Sequence, residues 1–359
     1  MSKVGMIDFL YEKKKKLKSI DAKRIKYWKK KFGHINKNAV FVIGAPEHAN
    51  IGDSAIFLAE VMFLKTCGIA EKDIKCIEIK AFLNDIDTIK LFIKKHHLIC
   101  NIGGGNMGNQ YWKEEMVRRK ALTYFPDNRI VIFPQTIFFQ GKDKERDEKE
   151  SINYYTDKRN LTLVAREKTS FDIMSSLYSD TNILLTPDIV LSTRSSDYDV
   201  KENKRSGVLF CLRSDAEKII DDSIWIELQN EIKSKNLDVK ITDMYSDIPI
   251  TSETRKEVVK TKMQEFADAE LVITDRLHAM IFSAITSTPC IAFGNYNHKV
   301  SGMFDWISYL PYVRYVENVK EAELAFDELI KLKDCFFDNE PLIRYFEQIK
   351  KIIEEKYRG

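Results

Sequence analysis

The sequence predicts an α/β protein of two Rossmann-like domains facing across a cleft, preceded by a basic helix. Three observations lead there. Short apolar runs alternate with amphipathic segments along most of the chain, the rhythm of parallel strands covered by helices on both faces. That rhythm breaks into a polar stretch near residue 200 and then restarts. The 359 residues, 44% hydrophobic and 31% charged, suffice for two cores of ordinary size under a solvated surface.

The basic segment occupies residues 1–38. The first 40 residues carry 13 Lys or Arg against Asp8, Glu12 and Asp21, a balance of +10; the chain totals +3, so the other 319 residues stand at −7. Ile7, Leu10, Leu17, Ile20, Ile25, Trp28 and Phe32 recur at helical spacing within it. Two readings stand side by side. Residues 1–32 form an interfacial helix drawn to an anionic membrane surface, or an ordinary helix packs its apolar stripe on the body and solvates its lysines. Nucleic acid is not an expected partner, because the body is mildly acidic and holds no recognised binding module.

The first domain is predicted over 39–195. Its strands are Val40–Ile43, Ile74–Ile79, Leu98–Ile102, Ile130–Phe133 and Leu161–Ala165, the fourth ending at Pro134. Helices are expected over Ser54–Thr66 and Asp85–Lys95. Residues 196–206 read as the linker. The second domain, 207–335, restarts with strands at Val208–Leu212, Leu237–Thr242, Leu271–Thr274 and Cys290–Phe293. Residues 336–359 hold a final amphipathic helix, Pro341–Tyr357, expected to pack on the body. No run is long enough to cross a bilayer, and no secretory signal opens the chain. Six scattered cysteines without a C-x-x-C pair read as reduced core residues, so a cytoplasmic location is expected.

Candidate chemistry gathers at strand ends, where open α/β sheets bind ligands. Asp275-Arg276-Leu277-His278 stands between a strand and a buried helix. Arg276 offers a planar cation suited to carboxylate or phosphate, and His278 a proton carrier near neutral pH. The two can cooperate only if the helix begins near His278, because residues two apart diverge on a helix. Arg213 occupies the equivalent strand end two strands away in sequence, and two such arginines suit a ligand bearing both carboxylate and phosphate. His298 and Lys299, after the next strand, add positive charge to the same pocket or merely solvate a loop. Asn50 and Asp53 face the cleft, Asp53 as a base or hydroxyl holder, or else Asp53 and Ser54 cap a helix. Gly103, Gly104 and Gly105, with Asn106, permit close backbone approach to a ligand or a tight turn. Pro134-Gln135-Thr136 contacts substrate or forms a structural turn. His96 and His97 lack partners for a metal, and no metal ligand set is predicted.

These pieces, in this order and ending with Tyr296 to Val300, resemble the polysaccharide pyruvyl transferase family over about Val40 to Trp306. Ala49 and Ala279 stand where glycine is common in that family, both small replacements. The resemblance implies a GT-B-like transferase that moves pyruvate from phosphoenolpyruvate onto a sugar as a cyclic ketal, with no cofactor. By the same resemblance Arg213, Arg276 and His278 match donor-binding residues, Asp53 matches a cleft acid, and the first domain takes the acceptor. His278 then serves as general acid and Asp53 as base or orienter. The acceptor is expected to be a lipid-linked oligosaccharide of a bacterial surface polysaccharide, met at the inner face of the plasma membrane. Two rival functions share the fold: a GT-B glycosyltransferase using a nucleotide sugar, and a non-catalytic, membrane-associated subunit of polysaccharide assembly.

Overall fold

The computed structural model describes residues 22–213, 220–294 and 298–358. It opens on helix α1 (Ala22–Phe32), whose Trp28 and Phe32 are buried against the body. Arg24 Nη1 donates to Asp85 Oδ1 at 2.5 Å and Trp28 Nε1 to Asp85 Oδ2 at 2.9 Å, while Lys31 pairs with Glu78. For this half of the basic segment the packed arrangement is the one adopted, so Trp28 and Phe32 are not free to enter a lipid surface. Ile7, Leu10, Leu17 and Ile20 lie outside the described residues.

The first sheet follows the order β2-β1-β3-β5-β6-β7, every pairing parallel. Its strands are β1 (Val40–Ala45), β2 (Ile74–Glu78), β3 (Leu98–Asn101), β5 (Ile130–Phe138), β6 (Leu161–Ala165) and β7 (Asn182–Leu185). A short strand β4 (Gly104–Gly108) runs beside the far half of β5. Helices α2 (Ile51–Thr66), α3 (Ile79–Ile89), α4 (Trp112–Tyr124), α5 (Lys144–Tyr155) and α6 (Lys168–Leu177) fill the connections.

Among the departures from expectation, three have a clear physical reason. Helix α3 begins at Ile79, six residues before the predicted start, because Ile79, Phe82, Ile86 and Ile89 bury one helical face. Strand β5 runs through Pro134 to Phe138, and its register to β6 shifts between Ile132 and Gln135, where proline can sit without breaking a regular ladder. The glycine segment forms strand β4, not a turn. At Gly108 (φ +112°) a Cβ would run into the Phe138 carbonyl, so only glycine lets the two backbones meet.

The second sheet has the order β12-β11-β10-β8-β9, again all parallel. It comprises β8 (Val208–Cys211), β9 (Val239–Thr242), β10 (Leu271–Thr274), β11 (Cys290–Phe293) and β12 (Val313–Val316), with α7 (Asp222–Ser234), α8 (Arg255–Ala267), α9 (Leu277–Ile285), α10 (Lys299–Ile307) and α11 (Val319–Leu329). The final helix, α12 (Glu340–Arg358), returns to the first domain. There Phe346 packs near Phe63, and Arg129 Nη1 donates to the Ile352 carbonyl at 3.0 Å.

The domains meet through packed helices and direct hydrogen bonds. Helix α2 lies against α8, and their buried side chains belong to one continuous apolar core. Beside it the backbones join as in a strand pair: Ile51 N donates to the Met244 carbonyl at 2.8 Å and Ser246 N to the Ala49 carbonyl at 2.9 Å. Arg255 Nη2 reaches the Pro46 carbonyl at 2.6 Å, and Trp306 Nε1 the Arg166 carbonyl at 2.8 Å. Among the described residues no helix is long and apolar enough to cross a membrane.

Candidate active site

Both sheets reverse their strand order beside their first strand, between β1 and β3 in one and between β8 and β10 in the other. Such switch points open crevices at the carboxyl ends of the strands. Here the two crevices face each other and enclose one cavity of about 230 Å³.

The first domain contributes a helix start and a glycine strand. Asn50 caps α2, its Oδ1 accepting from Gly52 N at 2.9 Å and Asp53 N at 3.3 Å. The cap is therefore Asn50, not Asp53 or Ser54, and Asp53 is left facing the cavity with His48 Nε2 at 3.5 Å. Gly105 lies where a Cβ would strike Arg166 Nη2 at 2.6 Å and crowd the Lys299 chain. Asn106 is held by Arg118, which donates to its side-chain oxygen and its carbonyl, both at 2.6 Å.

The second domain contributes cations. Arg276 is the extended residue before α9 (φ −101°, ψ 125°), and His278 lies in that helix's first turn. The helix thus starts one residue later than Arg276, and both side chains reach the same cavity. Arg276 is also gripped from behind: its Nε and Nη2 each donate to Asp243 at 2.8 Å, a bidentate pair that fixes the fork's plane. Arg213 lines the cavity too, and its backbone N donates to Asp275 Oδ1 at 2.9 Å, tying the two strand ends together. Burial raises the Asp275 carboxyl despite that bond and the neighbouring arginines. Lys299, itself buried, reaches in from the start of α10, its Nζ 5.7 Å from the centre of the Tyr111 ring.

Asp53, His278, Arg213, Arg276, Lys299, Asn50, Gly105 and Asn106 therefore share one wall-to-wall space. Three expected residues do not line it. Gln135 is fully buried beneath, its Nε2 donating to the Ile102 carbonyl at 2.7 Å. Gly104 lies behind Gly105 in β4, where a Cβ would come within 3.7 Å of Asp53. His298 turns away to Glu167, with Nε2 3.3 Å from Oε1. Residues 295–297, which sequence reasoning joined to this site, lie outside the described residues.

Sequence reasoning missed several groups in the site. Arg166 follows β6 and projects into the cavity, with Nε on Thr136 Oγ1 at 2.7 Å and Nη1 on Asp188 Oδ2 at 2.9 Å. Asp188 follows β7 in Thr186-Pro187-Asp188 and is buried. Burial works to raise its carboxyl, but the nearby His278 ring and the charge of Arg166 bring it down to about 2. Asp243 follows β9. The signal that located Arg213 and Arg276, a polar residue at a strand's carboxyl end, applies to all three.

Among the described residues no cluster of His, Cys, Asp or Glu is arranged to hold a metal ion. The cavity instead gathers Arg166, Arg213, Arg276 and Lys299 with the His278 imidazole and the Asp53 carboxylate.

Residues 50–298 match the family model described as Polysaccharide pyruvyl transferase. The chain belongs to this family. It is similar to General stress protein 30 of Bacillus subtilis, 35% identical over 323 residues that cover 87% of this chain and 92% of that protein. It is also similar to Pyruvyl transferase 1 of Schizosaccharomyces pombe, 30% identical over 287 residues, 75% of this chain and 69% of that protein. Among solved structures, a Klebsiella pneumoniae protein of uncharacterised function superposes with a TM-score of 0.53 at 16% identity, covering 83% of this chain and 100% of that one. That likeness concerns fold alone. The fold of this pyruvyl transferase family member is GT-B-like, two Rossmann-like domains across a cleft, and its family acts on polysaccharides.

Proposed function

We propose that the protein transfers pyruvate from phosphoenolpyruvate to two hydroxyls of one sugar, forming a cyclic ketal and releasing inorganic phosphate. The observation that carries this reading is the convergence of Arg166, Arg213, Arg276 and Lys299 on one cavity that also holds His278 and Asp53. Phosphoenolpyruvate is small and carries both a carboxylate and a phosphate. Planar guanidinium forks answer each group with charge-assisted pairs.

The chemistry follows from the two remaining groups. Protonated His278 gives a proton to the methylene carbon, whose double-bond electrons form the new C–H bond and leave the adjacent carbon electrophilic. A sugar hydroxyl attacks that carbon and its proton passes to Asp53. The C–O bond to phosphate breaks, the pair leaving with phosphate, and the surrounding cations stabilise the departing charge. A second hydroxyl closes the ring and returns its proton to His278, while phosphate carries off the proton held by Asp53. No cofactor enters this balance.

The acceptor fits best as a sugar of a surface polysaccharide or its lipid-linked precursor, met in the cytoplasm at the inner face of the membrane. The test is incubation with phosphoenolpyruvate and a panel of aryl and lipid-linked glycosides, following phosphate release and product mass. The expected product is heavier than its acceptor by pyruvic acid less one water. Phosphate release without a ketal, or turnover of a nucleotide sugar in its place, overturns the reading.

A further inference from the structure

Behind the cavity, one carboxylate from the first domain meets the imidazole of the second. Asp188 is 1% exposed, and its Oδ2 lies 2.9 Å from Arg166 Nη1 and 3.5 Å from His278 Nε2. Its other oxygen, Oδ1, accepts from Val190 N at 3.0 Å, which fixes the carboxylate's plane. His278 Nε2 is fully buried on this side and makes no hydrogen bond, Asp188 Oδ2 being the carboxylate oxygen it faces at 3.5 Å. The ring's other nitrogen, Nδ1, lies over Gly52, beside Asp53, where any Cβ would overlap the imidazole. The ring is thus pinned between a carboxylate and a bare Cα, both supplied by the opposite domain.

We propose that Asp188 is the positioning residue for His278: it accepts from Nε2, so that Nδ1 carries the proton delivered to the substrate. This rests on the reading of His278 as the general acid. A neutral imidazole holds one proton, and an acceptor fixed at one nitrogen decides which nitrogen holds it. The same carboxylate stabilises the imidazolium, because an ionised group buried beside a cation is weakly screened. Other charges face the ring from the surrounding elements: Asp53 from α2, Arg166 after β6, Arg213 after β8, Arg276 before α9 and Lys299 from α10, with His48 and Glu114 at the cavity wall. Asp188 sets its negative charge against the ring from the buried side, opposite these cations.

The test uses the full chain and the variants Asp188→Asn and Asp188→Glu, each first checked for folding by its thermal transition. With saturating phosphoenolpyruvate and acceptor, D188N is expected to lower kcat about 100-fold and to move the alkaline limb of the kcat–pH profile about one unit towards acid. D188E is expected to recover part of the rate and to return the limb. An unmoved pH profile in D188N overturns the proposal. So does a loss confined to KM for phosphoenolpyruvate, which would assign Asp188 to Arg166 alone. Should D188N fail to fold, D188E must lower kcat while keeping its limb at the parental pH, and either an unchanged kcat or a limb displaced towards acid overturns the proposal equally. Absence of any ketal product from the parent protein would instead sink the general-acid reading, which separates the two failures.

Discussion

The two switch-point crevices occupy the same place in two sheets of the same local topology, yet they supply opposite chemistry. Around β1 and β3 the chain offers a capped helix start, a glycine strand and one carboxylate, Asp53. Around β8 and β10 it offers Arg213 and Arg276, each bonded to an aspartate, and His278, which faces Asp188 of the first domain. One half gives space and carboxylates with a single cation, Arg166; the other gives most of the positive charge. Topology accordingly fixes where a ligand binds, and the few residues after each strand fix what the ligand is.

The sharpest way to break this comparison is to remove charge from the second half. Arg276→Ala takes away one of the cavity's cations and leaves Asp243 without its guanidinium partner. It is expected to lower kcat/KM about 1,000-fold, roughly 4 kcal/mol of transition-state binding. Thermal stabilisation by phosphoenolpyruvate should vanish with it. Full stabilisation in the variant would remove Arg276 from the donor site.

Next comes space, the contribution of the first half. Gly52→Ala drives a methyl group into the His278 ring, so kcat is expected to fall about 100-fold, the usual consequence of misplacing a reacting group by about 1 Å. Gly52 sits in helix α2 at ordinary helical geometry, and alanine improves helix propensity by about 1 kcal/mol. Melting temperature should hold or fall little while activity collapses. Parental kcat in G52A would show that the imidazole has room to move.

A smaller effect tests the layer between the halves. Lys299→Met keeps most of the buried chain and deletes its charge, and KM for phosphoenolpyruvate is expected to rise about tenfold, near 1.4 kcal/mol. An unchanged KM would assign Lys299 to packing alone.

The smallest concerns stability. Glu60 is buried beneath the glycine strand, and burial raises its carboxyl well above the usual range against the Gly103 N–H bond, with Asp188 adding to the rise. Its folded form therefore holds a proton that the unfolded chain releases near the ordinary value of 4.5. The stability tied to that proton is fully present below this value and is lost as pH rises towards the folded one. Glu60→Gln keeps the shape and removes the titration. The two proteins should melt together near about pH 4, with the variant about 2–4 °C higher near about pH 8. A constant gap across that range would mean that Glu60 does not titrate.

The sequence made the strands legible because apolar runs bounded by polar residues leave few alternatives, and the strand ends then marked most of the site. Arg276 and His278 were readable as a pair because charge stood alone between two buried elements. Asp188, Arg166 and Asp243 carry the same strand-end signal, but their importance lies in partners far away in sequence: Asp188 meets His278 ninety positions later. Strand β4 was invisible for another reason. Glycine has no strand preference, so Gly104–Gly108 reads as a turn until the β5 backbone is set beside it. His298 and Gln135 show the converse limit, since a polar residue after a strand can point to either side of its loop.

The main-chain seam where residues 49–51 meet residues 244–246 carries one more consequence. Bonds between backbone groups do not depend on side-chain identity, so substitutions along the seam leave the spacing of the two domains intact. Tyr245, which lines the cavity from this seam and is exposed, can therefore change in shape without altering its width. Met244, buried in the core the domains share, cannot. A single tyrosine at the rim is thus the place where the cavity's outline can vary while its walls keep their distance.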